Sequence, residues 1–193
     1  AQFRAEGLKV RHDPDKVGAE TVVINTCGFI GDAQEESINM ILECGELKKA
    51  GKIGRLYVMG CLSEKFCKDL QAEIPEVDGW YGKFNWGGIL KELGRKWHGE
   101  IENDRIITTP SHYAYLKIAE GCNRGCAYCA IPLMTGKYQS RSQEDILDEA
   151  RKLVAKGVKE IQLIAQDLTY YGTDVAHKPT IAELVQRLSD IPG

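Results

Sequence analysis

Short apolar, β-branched runs alternate with longer amphipathic stretches through most of this chain, and that alternation restricts it to sheets of parallel strands covered by helices. Thr21-Val-Val-Ile-Asn-Thr26 has the composition of a buried strand. Asp32 is placed to cap the helix behind it, with Ile38, Ile41, Leu42 and Gly45 on one face and an end near Gly51. Leu56-Tyr-Val-Met-Gly60 is the next strand, and Ser63 is expected to cap a helix running to about Ala72. Val77 to Tyr81 reads as a third, short strand, followed by a helix from about Trp86 to Trp97.

From His98 to His112 the alternation stops. Gly99, Asn103, Asp104 and Thr108-Thr109-Pro110 mark a linker, with room for a short strand at Arg105–Thr108. The pattern then restarts. Tyr113 to Ala119 is a strand, Ser142 caps a helix with Asp145 three residues on, and Ile146, Leu147, Ala150, Leu153 and Val154 form that helix's apolar face up to Gly157. Glu160 to Ala165 is a second strand, and Thr180 to about Ser189 another helix. The expected organisation is a parallel α/β domain of Rossmann or flavodoxin-like type over residues 1–104, a linker over 105–112, and the first two units of a TIM-type (β/α) barrel over 113–193.

Composition narrows the class. With 193 residues, 43% hydrophobic content and a net charge of −3, the chain has the make-up of a soluble globular protein and lacks the basic excess of a general nucleic-acid binder. No apolar run reaches the roughly 18 residues that cross a membrane, and no signal peptide opens the chain. It begins at Ala1 and stops at Gly193, so both ends are expected to be cuts within a longer protein. The seven cysteines are an odd count, and five lie at strand ends or in one tight run. That placement suits metal or cluster ligation in a reducing cytoplasm better than a disulfide framework. Cys44 and Cys67 fall in helical segments and read as small packed side chains.

The tight run is Cys122-Asn-Arg-Gly-Cys126-Ala-Tyr-Cys129, at the C-terminal end of the first barrel strand, where such barrels carry active sites. Three thiolates this close can hold an iron–sulfur cluster by three corners and leave the fourth iron open to a ligand. The segment from Gly121 to Gln143 contains Arg124, Lys137 and Arg141 and no Asp or Glu, an acid-free surround that suits an anionic cluster. A structural zinc site is the alternative, but it normally takes four protein ligands in paired units, and no fourth is evident. Cys27 and Cys61 each directly follow a predicted strand, beside a glycine that lets a bulky group approach the backbone. On spacing alone they read equally well as ordinary buried cysteines.

The tight run resembles that of the radical S-adenosylmethionine superfamily, and with the preceding α/β domain the whole chain resembles a methylthiotransferase. The resemblance implies a 4Fe–4S cluster on Cys122, Cys126 and Cys129 whose open iron binds S-adenosylmethionine. It implies a second 4Fe–4S cluster in the N-terminal domain, used in sulfur delivery, on Cys27, Cys61 and a further cysteine expected upstream of Ala1. Asn25-Thr26-Cys27-Gly28-Phe29-Ile30, Cys129-Ala-Ile-Pro132, Thr135-Gly136, Ser140-Arg141 and Gln166-Asp167-Leu-Thr169-Tyr170-Tyr171-Gly172 are similar to the ribosomal-protein branch of that family rather than the transfer-RNA branch. In that branch, one-electron reduction of the sulfonium gives a 5′-deoxyadenosyl radical. The radical takes a hydrogen from the β-carbon of an aspartate in ribosomal protein S twelve, and a methylated sulfur is transferred there. Tyr128 is then expected near the adenine, and Gln166 and Thr169 facing the cofactor. A donor such as flavodoxin or ferredoxin supplies electrons, and no membrane is involved. With one donor-site cysteine, the later barrel units and a C-terminal TRAM domain all outside this sequence, the segment by itself is expected to be inactive. The other readings are a transfer-RNA adenosine methylthiotransferase and a non-catalytic iron–sulfur redox protein.

Overall fold

A computed structural model describes residues 1–12, 18–83, 85, 87–101 and 104–193. The chain divides into two compact units, Gln2–His98 and Gly99–Gly193, the second including Ala1. Trp86 and Asn103, used above to mark a helix start and the linker, lie outside the described residues.

The first unit carries a short helix α1 (Gln2–Ala5), strand β1 (Ala19–Thr26), helix α2 (Gly31–Lys49), strand β2 (Ile53–Gly60), helix α3 (Cys61–Glu73), strand β3 (Gly79–Tyr81) and helix α4 (Gly87–Glu92). The sheet order is β1-β2-β3, parallel throughout, with Thr21 opposite Arg55, Thr26 opposite Gly60 and Tyr57 opposite Gly79. Both faces are covered, and the period-two alternation of the strands sorts their side chains between them. Ile24, Leu56 and Val58 pack with Ile41, Cys44 and Leu62. Tyr57 packs with Tyr81 and Ile89, joined by Val23 and Met59.

Four local expectations change. The N-cap of α2 is Ile30, with no side-chain cap, and Asp32 lies in the first turn, where its charge still complements the helix dipole. Leu42 is 47% exposed, and Cys44 is buried on the helix face instead. At 100° per residue the buried stripe runs Ser37-Ile41-Cys44-Gly45, and Leu42 falls off its edge. Ser63 does not cap α3; it is buried at the third helical position, because β2 turns into the helix directly at Gly60, φ +110°. The last helix of the unit stops at Glu92, well short of Trp97, since Gly94 adopts φ +67° and the Arg95 N–H reaches back to the Leu90 carbonyl.

Asp78 ties the sheet to α2. Its carboxylate accepts from Lys48 Nζ at 2.6 Å and from the Leu56 peptide N–H at 2.7 Å. Burial pushes this carboxyl upward, but the Lys48 and Leu56 hydrogen bonds outweigh it and hold the group below the usual aspartate range. A depressed folded-state pKa means stability that is present above the unfolded value of about 3.9 and lost as pH falls through the lower folded value. Asp78→Asn is therefore expected to cost about 1 kcal/mol at pH 7, kept modest by partial exposure. Melting curves from pH 7 down to about pH 3 should show the two proteins converging; a constant gap would exclude this role for the carboxylate.

The second unit opens with a 3-10 turn at Gly99–Ile101. No strand forms at Arg105–Thr108, because no neighbouring strand takes its amides; instead Arg105 pairs with Glu149 at 3.0 Å, and Ile107 packs beside Ala114, Leu153 and Val158. Strand β4 is Tyr113–Lys117, shorter than expected, and β5 (Ala119–Glu120) follows across Ile118. After helix α5 (Ile131–Thr135), β6 (Gln139–Ser140) pairs antiparallel with β5. Helix α6 (Gln143–Ala155) crosses to β7 (Glu160–Ile164), which pairs parallel with β4. The 3-10 turn Leu168–Tyr170 and helices α7 (Thr173–Ala176) and α8 (Ile181–Ser189) complete the unit. Leu116, Ile118, Ile146, Ala150, Tyr171 and Leu184 form its core. Ser142 caps α6 by accepting the Asp145 N–H at 3.2 Å, while the Asp145 carboxylate turns to Arg141 at 2.9 Å. Gly157, φ +92°, follows the helix.

Candidate metal centres

The cysteine run occupies the tip of a loop whose base is the β5–β6 pair. Gly121 closes that base: its φ is +78°, and a Cβ there would overlap the Lys137 carbonyl oxygen and lie 2.8 Å from that of Gly136. The Cys122 N–H donates to the Gly136 carbonyl at 3.2 Å, and the Tyr138 N–H to Asn123 Oδ1 at 3.0 Å. Cys122 is thereby buried, Cys129 half-buried and Cys126 exposed, with a turn closed by the Cys129 N–H on the Cys126 carbonyl at 3.1 Å. The Arg124 N–H points at Cys122 Sγ at 3.4 Å. Beside them opens a cleft of about 440 Å³ lined by Cys122, Asn123, Arg124, Pro132, Gly136 and Lys137.

Among the described residues no three His, Cys, Asp or Glu side chains converge on a common point, so the thiols stand apart around the tip. The donor set nevertheless fits a cluster held at three corners. Three thiols lie on one loop, one of them already receives a peptide N–H, and Gly125 sits in open space where the tip can close.

The acid-free surround expected from the sequence does not survive folding. The loop after β7 brings Asp167 to Arg124 Nε at 2.8 Å. Thr169 Oγ1 donates to the same carboxylate at 2.7 Å, and these two bonds, Thr169's first, hold Asp167 below the usual aspartate range. Arg141 is turned away from the cysteines; it pairs with Glu149 at 2.7 Å and donates to the Lys117 carbonyl at 2.6 Å. Tyr128 projects from the tip, 94% exposed. Gln166 donates through Nε2 to Glu120 at 2.8 Å, while its buried Oε1 has no hydrogen-bond partner among the described residues.

In the first unit, the Thr26–Gly60 register sets Cys27 and Cys61 side by side at the C-terminal edge of the sheet. Gly28 packs so closely on the start of α3 that a Cβ would lie 2.7 Å from the Leu62 nitrogen and 2.8 Å from the Cys61 carbonyl carbon. Cys61 is the first residue of α3, where the helix dipole favours negative charge. Buried Ser37 accepts the Cys27 N–H at 3.1 Å and donates to the Ala33 carbonyl at 2.8 Å; Gln34 Nε2 reaches the Gly28 carbonyl at 2.8 Å. Cys44 is a core residue whose thiol burial pushes up, and Cys67 is half-buried on α3.

Sequence reasoning missed Ser37, Gln34, Asn123, Tyr138 and Asp167. Asn123 gave no signal, since its side chain accepts from the Tyr138 N–H across the loop rather than from local backbone. Gln34 and Ser37 reach back from the first turns of α2 to the segment just before it, and Tyr138 and Asp167 act across folds in the chain that no local pattern marks.

Comparison with known proteins places these features in context. Residues 1–82 match the model of Uncharacterized protein family UPF0004, and residues 116–192 that of the Radical SAM superfamily. Over 192 residues, all of this chain, it is 63% identical to the ribosomal protein uS12 methylthiotransferase RimO of Parabacteroides distasonis, 60% to that of Porphyromonas gingivalis and 46% to that of Cytophaga hutchinsonii. The chain spans 44% of the length of each of these curated relatives. Identity at this level over all of this chain, with a radical S-adenosylmethionine segment behind a second matched domain, makes the chain similar to the corresponding stretch of the methylthiotransferases named for ribosomal protein uS12.

Proposed function

We propose that the protein carrying this chain transfers a methylthio group to the β-carbon of an aspartate in ribosomal protein uS12. The observation that carries this reading is the placement of Cys122, Cys126 and Cys129 on one loop beyond the first strand of a parallel β/α unit, with Cys122 lining an open cleft. In this reading the three thiolates hold a 4Fe–4S cluster, and Cys27 and Cys61 are two of the ligands of a second cluster. A cluster with bound S-adenosylmethionine supplies one-electron reduction of the sulfonium; a donor such as flavodoxin or ferredoxin provides the electron. The chain's residues supply position. The β5–β6 base fixes the loop, Arg124 and Lys137 give the cleft a basic lining that attracts an anionic group, and Tyr128 is exposed to stack on an adenine. Gln166 and Thr169 hold the neighbouring loop through Glu120 and Asp167, and from there they would help to hold the cofactor. The setting is the cytoplasm, where the small ribosomal subunit is found.

The test is anaerobic incubation of the reconstituted full-length protein with S-adenosylmethionine, reductant and uS12. Expected products are 5′-deoxyadenosine and a methylthio mass gain on one aspartate-containing peptide. No 5′-deoxyadenosine would leave only an electron-carrying role; modification confined to an adenosine in transfer RNA would overturn the substrate.

A further inference from the structure

We propose that Asp167 is a positioning residue for the cysteine loop, acting through Arg124 as a latch between the loop after β7 and the Cys122 corner. The proposal rests on the reading of Cys122, Cys126 and Cys129 as a cluster site. Asp167 lies 43 positions from Arg124 in sequence, and its carboxylate accepts from Arg124 Nε at 2.8 Å. The contact is reinforced on every side. Thr169 Oγ1 holds the second carboxylate oxygen at 2.7 Å, and the Asp167 carbonyl accepts from Tyr138 Oη at 2.8 Å. The Arg124 guanidinium lies 5.6 Å from the centre of the Tyr170 ring, which packs edge-on against Tyr138 at 5.1 Å. Tyr138 in turn holds Asn123 through its peptide N–H at 3.0 Å. The residues on either side of the Asn123–Arg124 peptide are thus fixed, and the Arg124 N–H is held toward Cys122 Sγ at 3.4 Å.

Two consequences follow. The latch restrains the loop mechanically, because a guanidinium seated on both a carboxylate and an aromatic face has few other positions. It also sets the charge beside the Cys122 corner, since the Asp167 carboxylate offsets Arg124, a cation that the loop itself brings next to Cys122. Cluster potentials respond to nearby charge and to hydrogen bonds on the sulfurs. Removing the carboxylate raises the potential.

The mechanical part is read without a cluster. In the metal-free protein, Cys122 alkylation is compared with that of exposed Cys126 as an internal standard, by mass spectrometry. Asp167→Asn is expected to raise the Cys122 to Cys126 rate ratio about two- to fivefold, the worth of a partly exposed ion pair. Arg124→Gln should do the same, and the double variant should add nothing further. Leu168→Ala, a change beside Asp167 that leaves the pair intact, should leave the ratio unaltered. An unchanged ratio in Asp167→Asn, additive single effects, or an equal rise in Leu168→Ala overturns the latch. In the reconstituted protein, Asp167→Asn should shift the cluster midpoint potential positive while visible absorption and iron content stay at the unsubstituted level. No shift, or a negative one, removes the electrostatic part. Failure of every form to bind iron would instead overturn the cluster reading while leaving the alkylation result to stand on its own.

Discussion

Cys126→Ala is expected to abolish cleavage of S-adenosylmethionine while leaving the fold intact. Cys126 is exposed at the loop tip and contributes its carbonyl, not its side chain, to the local turn. Its removal creates no cavity, so stability should move by less than about 0.5 kcal/mol. The expected loss in 5′-deoxyadenosine formation is at least about 10³-fold, equivalent to about 4 kcal/mol of transition-state stabilisation. A cluster held at three corners cannot lose one thiolate and keep its open iron in place. Cys126→Ser should fare little better, because a hydroxyl does not ionise at neutral pH to replace the thiolate. Cys67→Ala, at a half-buried position on α3 outside both proposed ligand sets, should retain normal activity. Product is quantified by chromatography on reconstituted protein, beside thermal melting of each variant. Retention of more than a tenth of the rate in Cys126→Ala would remove this cysteine from the ligand set.

The second large effect is expected from Gly121→Ala, a substitution that touches no ligand. Gly121 has φ +78°, a conformation that costs alanine about 1–3 kcal/mol. The added Cβ would also collide with the Lys137 backbone carbonyl, which cannot rotate aside as a side chain tip would. The two-residue strands Ala119–Glu120 and Gln139–Ser140 are too short to resist that displacement, so the base of the loop opens. The core around Leu116, Ile146 and Leu184 lies behind it and should persist. Far-ultraviolet dichroism should therefore stay near normal while iron incorporation and 5′-deoxyadenosine formation fall to a small fraction. A fully loaded, active Gly121→Ala protein would show that the loop tolerates a different base.

Much of this architecture was legible in the residues themselves. Continuous apolar runs at Val22–Ile24 and Leu56–Val58 report strands buried in a covered parallel sheet, and the apolar stripe Ile146-Leu147-Ala150-Leu153 reports a buried helix face, because a helix repeats with a fixed period. Ser142 was readable as a cap because capping is local. Asp32 and Ser63 misled for the same reason: a capping residue looks the same in sequence whether it stands one position before the helix or inside its first turn. Trp97 lost its helix to Gly94, whose left-handed conformation ends α4 after six residues. The strand Tyr113–Ala119 was cut because Ala119 and Glu120 found a different partner in Gln139 and Ser140.

The sequence by itself determined the α/β class, the cysteines on which the proposed chemistry rests and the family they resemble. Those are properties of residue type and spacing, and the chain states them wherever it is folded. Tertiary structure alone decided the environment of the cysteines. It set Cys27 beside Cys61 through strand register, buried Cys122 but not Cys126, turned Arg141 toward Glu149 and brought Asp167 onto Arg124. Each of these depends on contacts between residues far apart in the chain, and such contacts form when strands pair and loops close, which no local periodicity encodes.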